Sequence, residues 1–246
     1  TMGSLHKGHI SLIKSSKMNC NKTIVSIFIN PTQFNKRNDY KNYPRNYKKD
    51  LSILKKLKVN FVYLPKKEHI YNFKRKKKIK LLDKDKILCA KFRKNHFEGV
   101  IDVMDRLTNQ IKPKKIFMGQ KDFQQLYLVR NFIEKRYKTK IISCKTIRAK
   151  NKIALSSRNL LLKKKELKIA SLVVNELFFI KKILNKHKKT KIYLENEKKL
   201  LEKKYKIKIE YLELRNKDNL KYSNKSKNSK LFIAYLLKKI RLIDNI

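Results

Sequence analysis

The residues best suited to chemistry open the sequence: Thr1-Met2-Gly3-Ser4-Leu5-His6-Lys7-Gly8-His9. Two histidines flank Gly8, Gly3 lies upstream, and apolar Ile10, Leu12, Ile13 and Met18 follow at helical spacing. A glycine turn that opens on a helix N-terminus points backbone N–H groups outward, and the helix dipole adds partial positive charge there. Such a segment suits a phosphate. The imidazoles of His6 and His9 add donors able to follow charge as it builds on a phosphate oxygen. A single histidine is more often structural; a pair at a glycine turn reads as function.

Three further segments supply the other half of a site: Asn30-Pro31-Thr32-Gln33, the run from Gly119 to Gln125, and Leu155-Ser156-Ser157-Arg158. Each follows a strand-like stretch. In a parallel sheet the strand carboxyl ends share one edge, so segments after different strands meet in one crevice. Lys121, Arg158, His6 and His9 are cationic or can become so. Ser156 and Ser157 are small donors, and Asn30, Gln33 and Gln125 are neutral amides. Asp50 and Asp122 are candidates to hold a metal, directly or through water. This set suits a triphosphate and an in-line phosphoryl or nucleotidyl displacement, which needs positioning and charge stabilisation more than a protein nucleophile. No Walker A loop is present, and no Ser/His/Asp or Cys/His arrangement competes. Plainer readings stand beside these: Ser-Ser-Arg alone is a surface triplet, Asn30 and Gln33 form turns, and Asp122 caps a helix. His69 and His187 read as structural or exposed, and His96, beside Phe97 and Gly99 at a helix start, is the one to watch.

The elements that must position these groups alternate. The spacing predicts helices over 8–18, 47–56, 98–111 and 122–137, and strands over 23–30, 59–65, 115–118 and 140–148. The apolar, β-branched run at 23–30 predicts a strand buried on both faces. Residues 66–95 give little signal, and the basic run at 74–78 reads as a solvated loop. This alternation means an α/β domain with a parallel sheet. After Asn159 the texture changes to lysine-laced helices over 163–186 and 192–204, then strand-like pieces at 207–214, 230–235 and 240–243. The expected organisation is an α/β nucleotide-binding domain over 1–147 and a smaller α+β domain over 148–246.

The formal net charge is +47, from 66 Lys+Arg against 19 Asp+Glu. A polybasic nucleic-acid-binding module is the competing reading of that charge. Lysine is spread along the whole chain, Asn and Ile are abundant, and no RNP-like or zinc-finger pattern occurs, so the charge reads as solvated lysine-rich faces. Nonspecific RNA binding at low salt follows from it whatever the function. Three cysteines, Cys20, Cys89 and Cys144, without metal spacing, argue against a disulfide framework and for a reducing cytoplasm, with Cys20 and Cys144 as core residues. No apolar run approaches the ~20 residues of a membrane helix.

The motifs also resemble a known family. TMGSLHKGH is similar to the nucleotide signature of the pantoate–β-alanine ligases (pantothenate synthetases), a variant of the HIGH motif of class I nucleotidylyltransferases. SIFINPTQF, YPRNYKKDL, HFEGV, MGQKDFQQL, ALSSRN and RLIDN match that family in order. The resemblance implies a Rossmann-like domain with a small C-terminal lid, a homodimer, and ATP and Mg2+. The implied reaction has two steps: pantoate attacks the α-phosphate of ATP to give pantoyl adenylate, and β-alanine then displaces AMP. Carried over by motif, Met2, Gly3, Ser4, Leu5, His6, Lys7, Gly8 and His9 hold ATP, with His9 as the acid/base or charge-stabilising histidine. Gly119, Gln120, Lys121, Asp122, Ile147, Leu155, Ser156, Ser157 and Arg158 complete the ATP site. Gln33 and Gln125 bind pantoate, Gln33 also serves β-alanine, and Asn30 lies in the same pocket. Asp50 matches an acidic position near the metal, and Lys49 stands where a second acidic residue may occur. The family also has a strand and helix ahead of the signature, and these are missing from this sequence. Another adenylyltransferase on the same fold would bind ATP and ignore pantoate; the amides of Gln33 and Gln125 argue for the ligase.

Overall fold

The structure, a computed structural model, describes residues 2–34, 40–72, 78–186 and 189–246. Two compact units divide the chain, Thr1–Ile147 and Arg148–Ile246.

The first unit alternates as its apolar periods require. Helix α1 (Lys7–Asn19) precedes strand β1 (Ile24–Ser26), and α2 (Tyr47–Lys56) precedes β2 (Phe61–Tyr63). Two short helical turns, α3 (Lys67–Ile70) and α4 (Cys89–Phe92), lead to the long α5 (His96–Ile111). Strand β3 (Lys115–Gly119), α6 (Phe123–Arg136) and β4 (Lys140–Cys144) complete the unit. β1 pairs with β2 in parallel, Ile24 opposite Phe61, and β3 pairs with β4 in parallel, Lys115 opposite Lys140. Parallel neighbours need a crossover, which α2 and α6 supply. Met2 runs alongside β1 as well: its N–H donates to Ser26 O at 2.9 Å and its carbonyl accepts from Phe28 N at 3.0 Å.

The core forms where the helical and strand periods face each other. Val100, Val103, Met104 and Leu107 of α5 meet Leu126, Val129 and Ile133 of α6, together with Phe28, Met118 and Ile141 from the strand side. A second cluster joins Ile13 of α1 to Leu5, Val25, Ile27 and Leu54. Each such side chain, fully buried, stabilises the fold by about 1.5–3 kcal/mol.

Several expectations are corrected. The strand foreseen over 23–30 is a ladder at Ile24–Ser26, extended by the single bridge of Ile27 with Met2, and the chain then turns at Pro31–Gln33. The expected burial of both faces is present over Ile27, Phe28, Ile29 and Asn30, while Ile24 at the start of the stretch is 40% exposed. Strand β4 stops at Cys144 instead of reaching 148. Helix α5 starts at His96, two residues earlier than its apolar period indicates, behind Asn95 in the left-handed conformation (φ 61°). Among the cysteines it is Cys89 that is buried, while Cys20 and Cys144 are intermediate. The basic run at 74–78 lies, apart from Lys78, outside the described residues, as does His187.

The second unit is α+β. Helices α7 (Lys164–Ile183) and α8 (Thr190–Tyr205) precede the antiparallel strands β5 (Lys208–Asn216), β6 (Ser229–Leu237) and β7 (Ile240–Asn245), in the order β5-β6-β7. Ala170, Val173, Leu177 and Ile180 form the buried stripe of α7 and pack with Leu214, Leu231 and Ile233. Arg148 clamps Asp244 with two hydrogen bonds, of 2.6 and 2.8 Å, tying the start of this unit to β7.

Candidate active site

The opening turn is built by three restraints. Met2 fixes its first residue against β1. Gly3 passes so close to Ile29 that a Cβ there would lie 3.2 Å from its Cγ1. Asp50, buried on α2, then accepts both Ser4 N–H (2.8 Å) and Leu5 N–H (2.7 Å), one on each carboxylate oxygen. Ser4 is held at φ 52°, a left-handed conformation that a non-glycine residue does not adopt without support. Asp50 therefore sits under the turn as its anchor, both oxygens engaged by backbone. The expectation that it holds a metal meets this geometry directly.

The turn delivers two imidazoles to the first residues of α1. His6 is the N-cap, its Nδ1 accepting from Gly8 N–H at 3.1 Å. His9 Nδ1 accepts from His6 N–H at 3.4 Å, and the two rings lie 4.1 Å apart. An imidazole nitrogen that accepts carries no proton, so each neutral ring carries its hydrogen on Nε2 and donates from there. Burial lowers the pKa of His6, helped by the nearby Lys121 charge. Burial, then the neighbouring His6, pushes His9 down to about 3. Both shifts favour the neutral rings, in which each imidazole presents an Nε2–H donor. No acidic residue occupies the first turn of α1 itself; the nearby carboxylates are Asp50, bonded under the preceding turn, and Asp122, which acts on both rings.

The segment after β3 lies in the same electrostatic neighbourhood, since Lys121 and Asp122 both act on His6 and His9. Lys121 Nζ lies 3.3 Å from Asp122 Oδ1. Gln120 donates to Ser143 Oγ at 3.0 Å, joining the ends of β3 and β4. A Cβ added at Gly119 would meet nothing within 4 Å. Asp122 starts α6 without a side-chain capping bond.

The amides divide into structural and available ones. Asn30 is 0% exposed. Its Oδ1 accepts from Thr32 N (3.2 Å), Thr32 Oγ1 (3.0 Å) and Tyr71 Oη (2.7 Å), and its Nδ2 donates to Gly99 O (3.0 Å). With its carbonyl saturated, Asn30 builds the turn at Pro31–Gln33, where an open substrate contact was expected. Gln124, unnoticed in the sequence, is equally engaged, bonding Cys89 N, Asp85 O and Ile87 O. The carboxamides of Gln33 and Gln125 make no hydrogen bond among the described residues.

His96, which the sequence singled out, and Arg93, which it did not, hold Gln33 in place. His96 Nδ1 donates to the Gln33 carbonyl at 2.6 Å, and Arg93 Nη1 meets His96 Nε2 at 2.7 Å. Gly99 is required by close approach: a Cβ there would fall 2.5 Å from Thr32 O. His96 and Gly99 gave a signal in the HFEGV motif, whereas Tyr71 gave none.

The other expected residues stand at or beyond the boundary of the units. Ile147 ends the first. In the second, Ser156 caps a tight turn over Ser157–Leu161, its Oγ accepting from Arg158 N–H at 3.3 Å. Asn159 Nδ2 donates to Ala154 O at 3.1 Å. Ser157 is buried, while Leu155, Ser156 and Arg158 are partly exposed.

Solved structures share this architecture. A pantothenate synthetase from Thermus thermophilus superposes with a TM-score of 0.88 at 25% identity, covering 100% of this chain and 90% of that one. A pantoate–β-alanine ligase from Francisella tularensis, complexed with beta-gamma ATP and β-alanine, gives 0.83 at 35% identity, covering 100% and 86%. Fold and turn together define an α/β synthetase. The sequence pattern of pantoate-beta-alanine ligase matches residues 1–246. Pantothenate synthetases of Endomicrobium trichonymphae (42% identical; 100% of this chain, 87% of that one) and Caldicellulosiruptor bescii (36%; 100% and 88%) are among its relatives. The chain belongs to the pantoate–β-alanine ligase family, and its activity is the joining of pantoate to β-alanine.

Proposed function

We propose that this ligation is driven by ATP through a pantoyl-adenylate intermediate, with the opening turn as the phosphate site. The observation that carries the reading is the pair of imidazoles, their Nδ1 atoms engaged by backbone and Nε2 left to donate, at the N-terminus of α1 in the field of Lys121. In the first step a pantoate carboxylate oxygen attacks the α-phosphorus of ATP and the bond to the β-phosphate oxygen breaks, releasing pyrophosphate. Negative charge grows on the phosphate oxygens, and donors already fixed by the turn stabilise it with little reorganisation. His9 and His6 are the charge-stabilising pair, and Lys121 adds a full positive charge. In the second step the β-alanine amine attacks the acyl carbon, the acyl–phosphate bond breaks, AMP leaves and one proton passes to solvent.

Gln33 and Gln125 are read as the pantoate contacts. Neutral carboxamides bond a hydroxyl and a carboxylate without adding charge, and both side chains lack an internal partner among the described residues. Leu155, Ser156, Ser157 and Arg158 are assigned to the nucleotide, and the second unit to a lid, by resemblance to the family.

Magnesium is the implied metal. Among the described residues no group of three or more His, Cys, Asp or Glu side chains converges. Asp50 has each oxygen bonded to a backbone N–H. The residues therefore do not form a protein-built magnesium site, and none of the steps above passes through one. Mg2+ prefers phosphate oxygens and water to an all-protein cage, so it is read as entering on the triphosphate. A cytoplasmic homodimer belongs to the same reading. The homodimer rests on the family resemblance, and the cytoplasm on the three thiols Cys20, Cys89 and Cys144, none of them in a disulfide, which suit a reducing compartment.

The test is release of AMP on mixing enzyme, ATP, Mg2+ and pantoate with and without β-alanine. Pantoate-dependent exchange between pyrophosphate and ATP, before β-alanine is added, is the expected sign of the adenylate. Folded enzyme that makes pantothenate without such exchange would remove the intermediate.

A further inference from the structure

Tyr71 lies on no motif, in a stretch where the sequence is nearly silent, yet its hydroxyl occupies the centre of the turn that presents Gln33. It donates to Asn30 Oδ1 at 2.7 Å and lies 3.0 Å from Thr32 Oγ1. Asn30 and Thr32 are the cap and the middle of the three-residue turn Pro31–Gln33. The phenol is itself fixed from behind. Arg106 stacks its guanidinium 4.9 Å from the ring centroid, donates to Ile70 O at 3.3 Å and pairs with Asp102 at 3.1 Å. Burial raises the Tyr71 pKa, so its hydroxyl keeps its proton and remains a donor through neutral pH.

The far side of the turn has its own restraint, His96 Nδ1 on the Gln33 carbonyl at 2.6 Å. The backbone on either side of the Gln33 side chain is thus held by two different elements, Tyr71 following α3 and His96 opening α5. That arrangement fixes the direction of a carboxamide that has no internal partner among the described residues.

We propose that Tyr71 is a positioning residue for the pantoate subsite: acting through Asn30 and Thr32 and touching no substrate, it sets the turn that aims Gln33. This rests on the ligase reading in which Gln33 contacts pantoate. Tyr71→Phe keeps the ring, its packing and the Arg106 stack, and removes one hydroxyl. The pantoate KM rises about tenfold, the factor to which one buried hydrogen bond of ordinary net strength corresponds. The ATP KM and the melting temperature stay close to the parent's.

Thr32→Val removes the hydroxyl on the other side of the same contact and reproduces the effect, while Thr32→Ser retains it and restores the parental value. The double variant Tyr71→Phe/Thr32→Val is no worse than either single one, since both break one network. Pantoate-dependent pyrophosphate–ATP exchange is measured on the parent first. A silent parent overturns the ligase reading and the Tyr71 role with it. An active parent whose Tyr71→Phe form keeps its pantoate KM overturns the Tyr71 role alone. A Tyr71→Phe form that loses ATP and pantoate affinity equally, or that fails to fold while Thr32→Val folds with normal pantoate KM, also overturns it by showing a general structural part.

Discussion

Replacing Asp50 by Asn separates two readings of one carboxylate. Asn is nearly isosteric, so packing on α2 is preserved. Its single side-chain oxygen can still accept one of the two N–H groups at Ser4 (2.8 Å) and Leu5 (2.7 Å). The other N–H then faces an NH2 group. Leaving that donor without its charged acceptor costs about 1–3 kcal/mol, a sizeable share of the ~5–15 kcal/mol typical of a folded chain. The turn suffers first, because Ser4 at φ 52° is held against its own preference. The assay is urea unfolding with no magnesium present, followed by steady-state kinetics in ATP and Mg2+. The expected result is a lower unfolding midpoint without metal and a raised ATP KM, with an unaltered Mg2+ requirement. An Asp50→Asn variant that unfolds with the parent, within about 0.5 kcal/mol, and needs more Mg2+ for activity would refute the anchor argument and restore Asp50 as a metal ligand.

His9→Ala removes one preorganised donor, and adenylation slows by about 10²–10³-fold with the circular dichroism unchanged; unchanged turnover would exclude His9 from the phosphate. The His9 pKa, lowered from 6.5 to about 3 by burial, also predicts a pH effect. Between those values the unfolded chain binds a proton that the folded one refuses, so stability declines as pH falls from about 6.5 toward 3, by at most roughly 1.4 kcal/mol per unit. His9→Gln flattens that slope, and a parental kcat limb near pH 6.5 that disappears in His9→Gln would contradict the neutral assignment. Gly99→Ala drives a methyl group into Thr32 O, 2.5 Å away, so stability falls by about 1–3 kcal/mol and pantoate KM rises; parental values for both would show that the turn yields freely. Gln33→Ala weakens pantoate and spares ATP. Gln124→Ala, which strips the bonds to Cys89, Asp85 and Ile87, lowers the melting temperature and spares pantoate; an exchange of those phenotypes would invert the roles of the glutamines.

Much of the fold was legible because its signals are local. The 3.6-residue period of Val100, Val103, Met104 and Leu107 is the buried face of α5, and the alternation of apolar runs with helical stretches yields parallel pairs in the first unit. Strand lengths were less legible. The apolar run through Asn30 looks like one strand because composition does not register where Pro31 and the Asn30 side chain turn the chain. In the site, the turn, the histidine pair and the two available glutamines all stand in motifs. Tyr71 stands in none, and Gln124, inside MGQKDFQQL, differs from its neighbour Gln125 only in its partners; those of Tyr71 and Gln124 lie 41 and 35 residues away, at Asn30 and Cys89.

The sequence by itself determined which groups are present and their order: a glycine turn with two histidines before a helix, amides after later strands, and the motif series that marks the family. Side-chain types and local periods suffice for that. The tertiary structure alone decided the state of those groups. The His9 pKa is lowered chiefly because folding buries it, and the adjacent His6 ring adds to that effect. Asp50 anchors the turn because α2 places it beneath Ser4 and Leu5, 46 and 45 residues away. Burial and long-range hydrogen bonds set protonation and availability, and neither exists until the chain has folded.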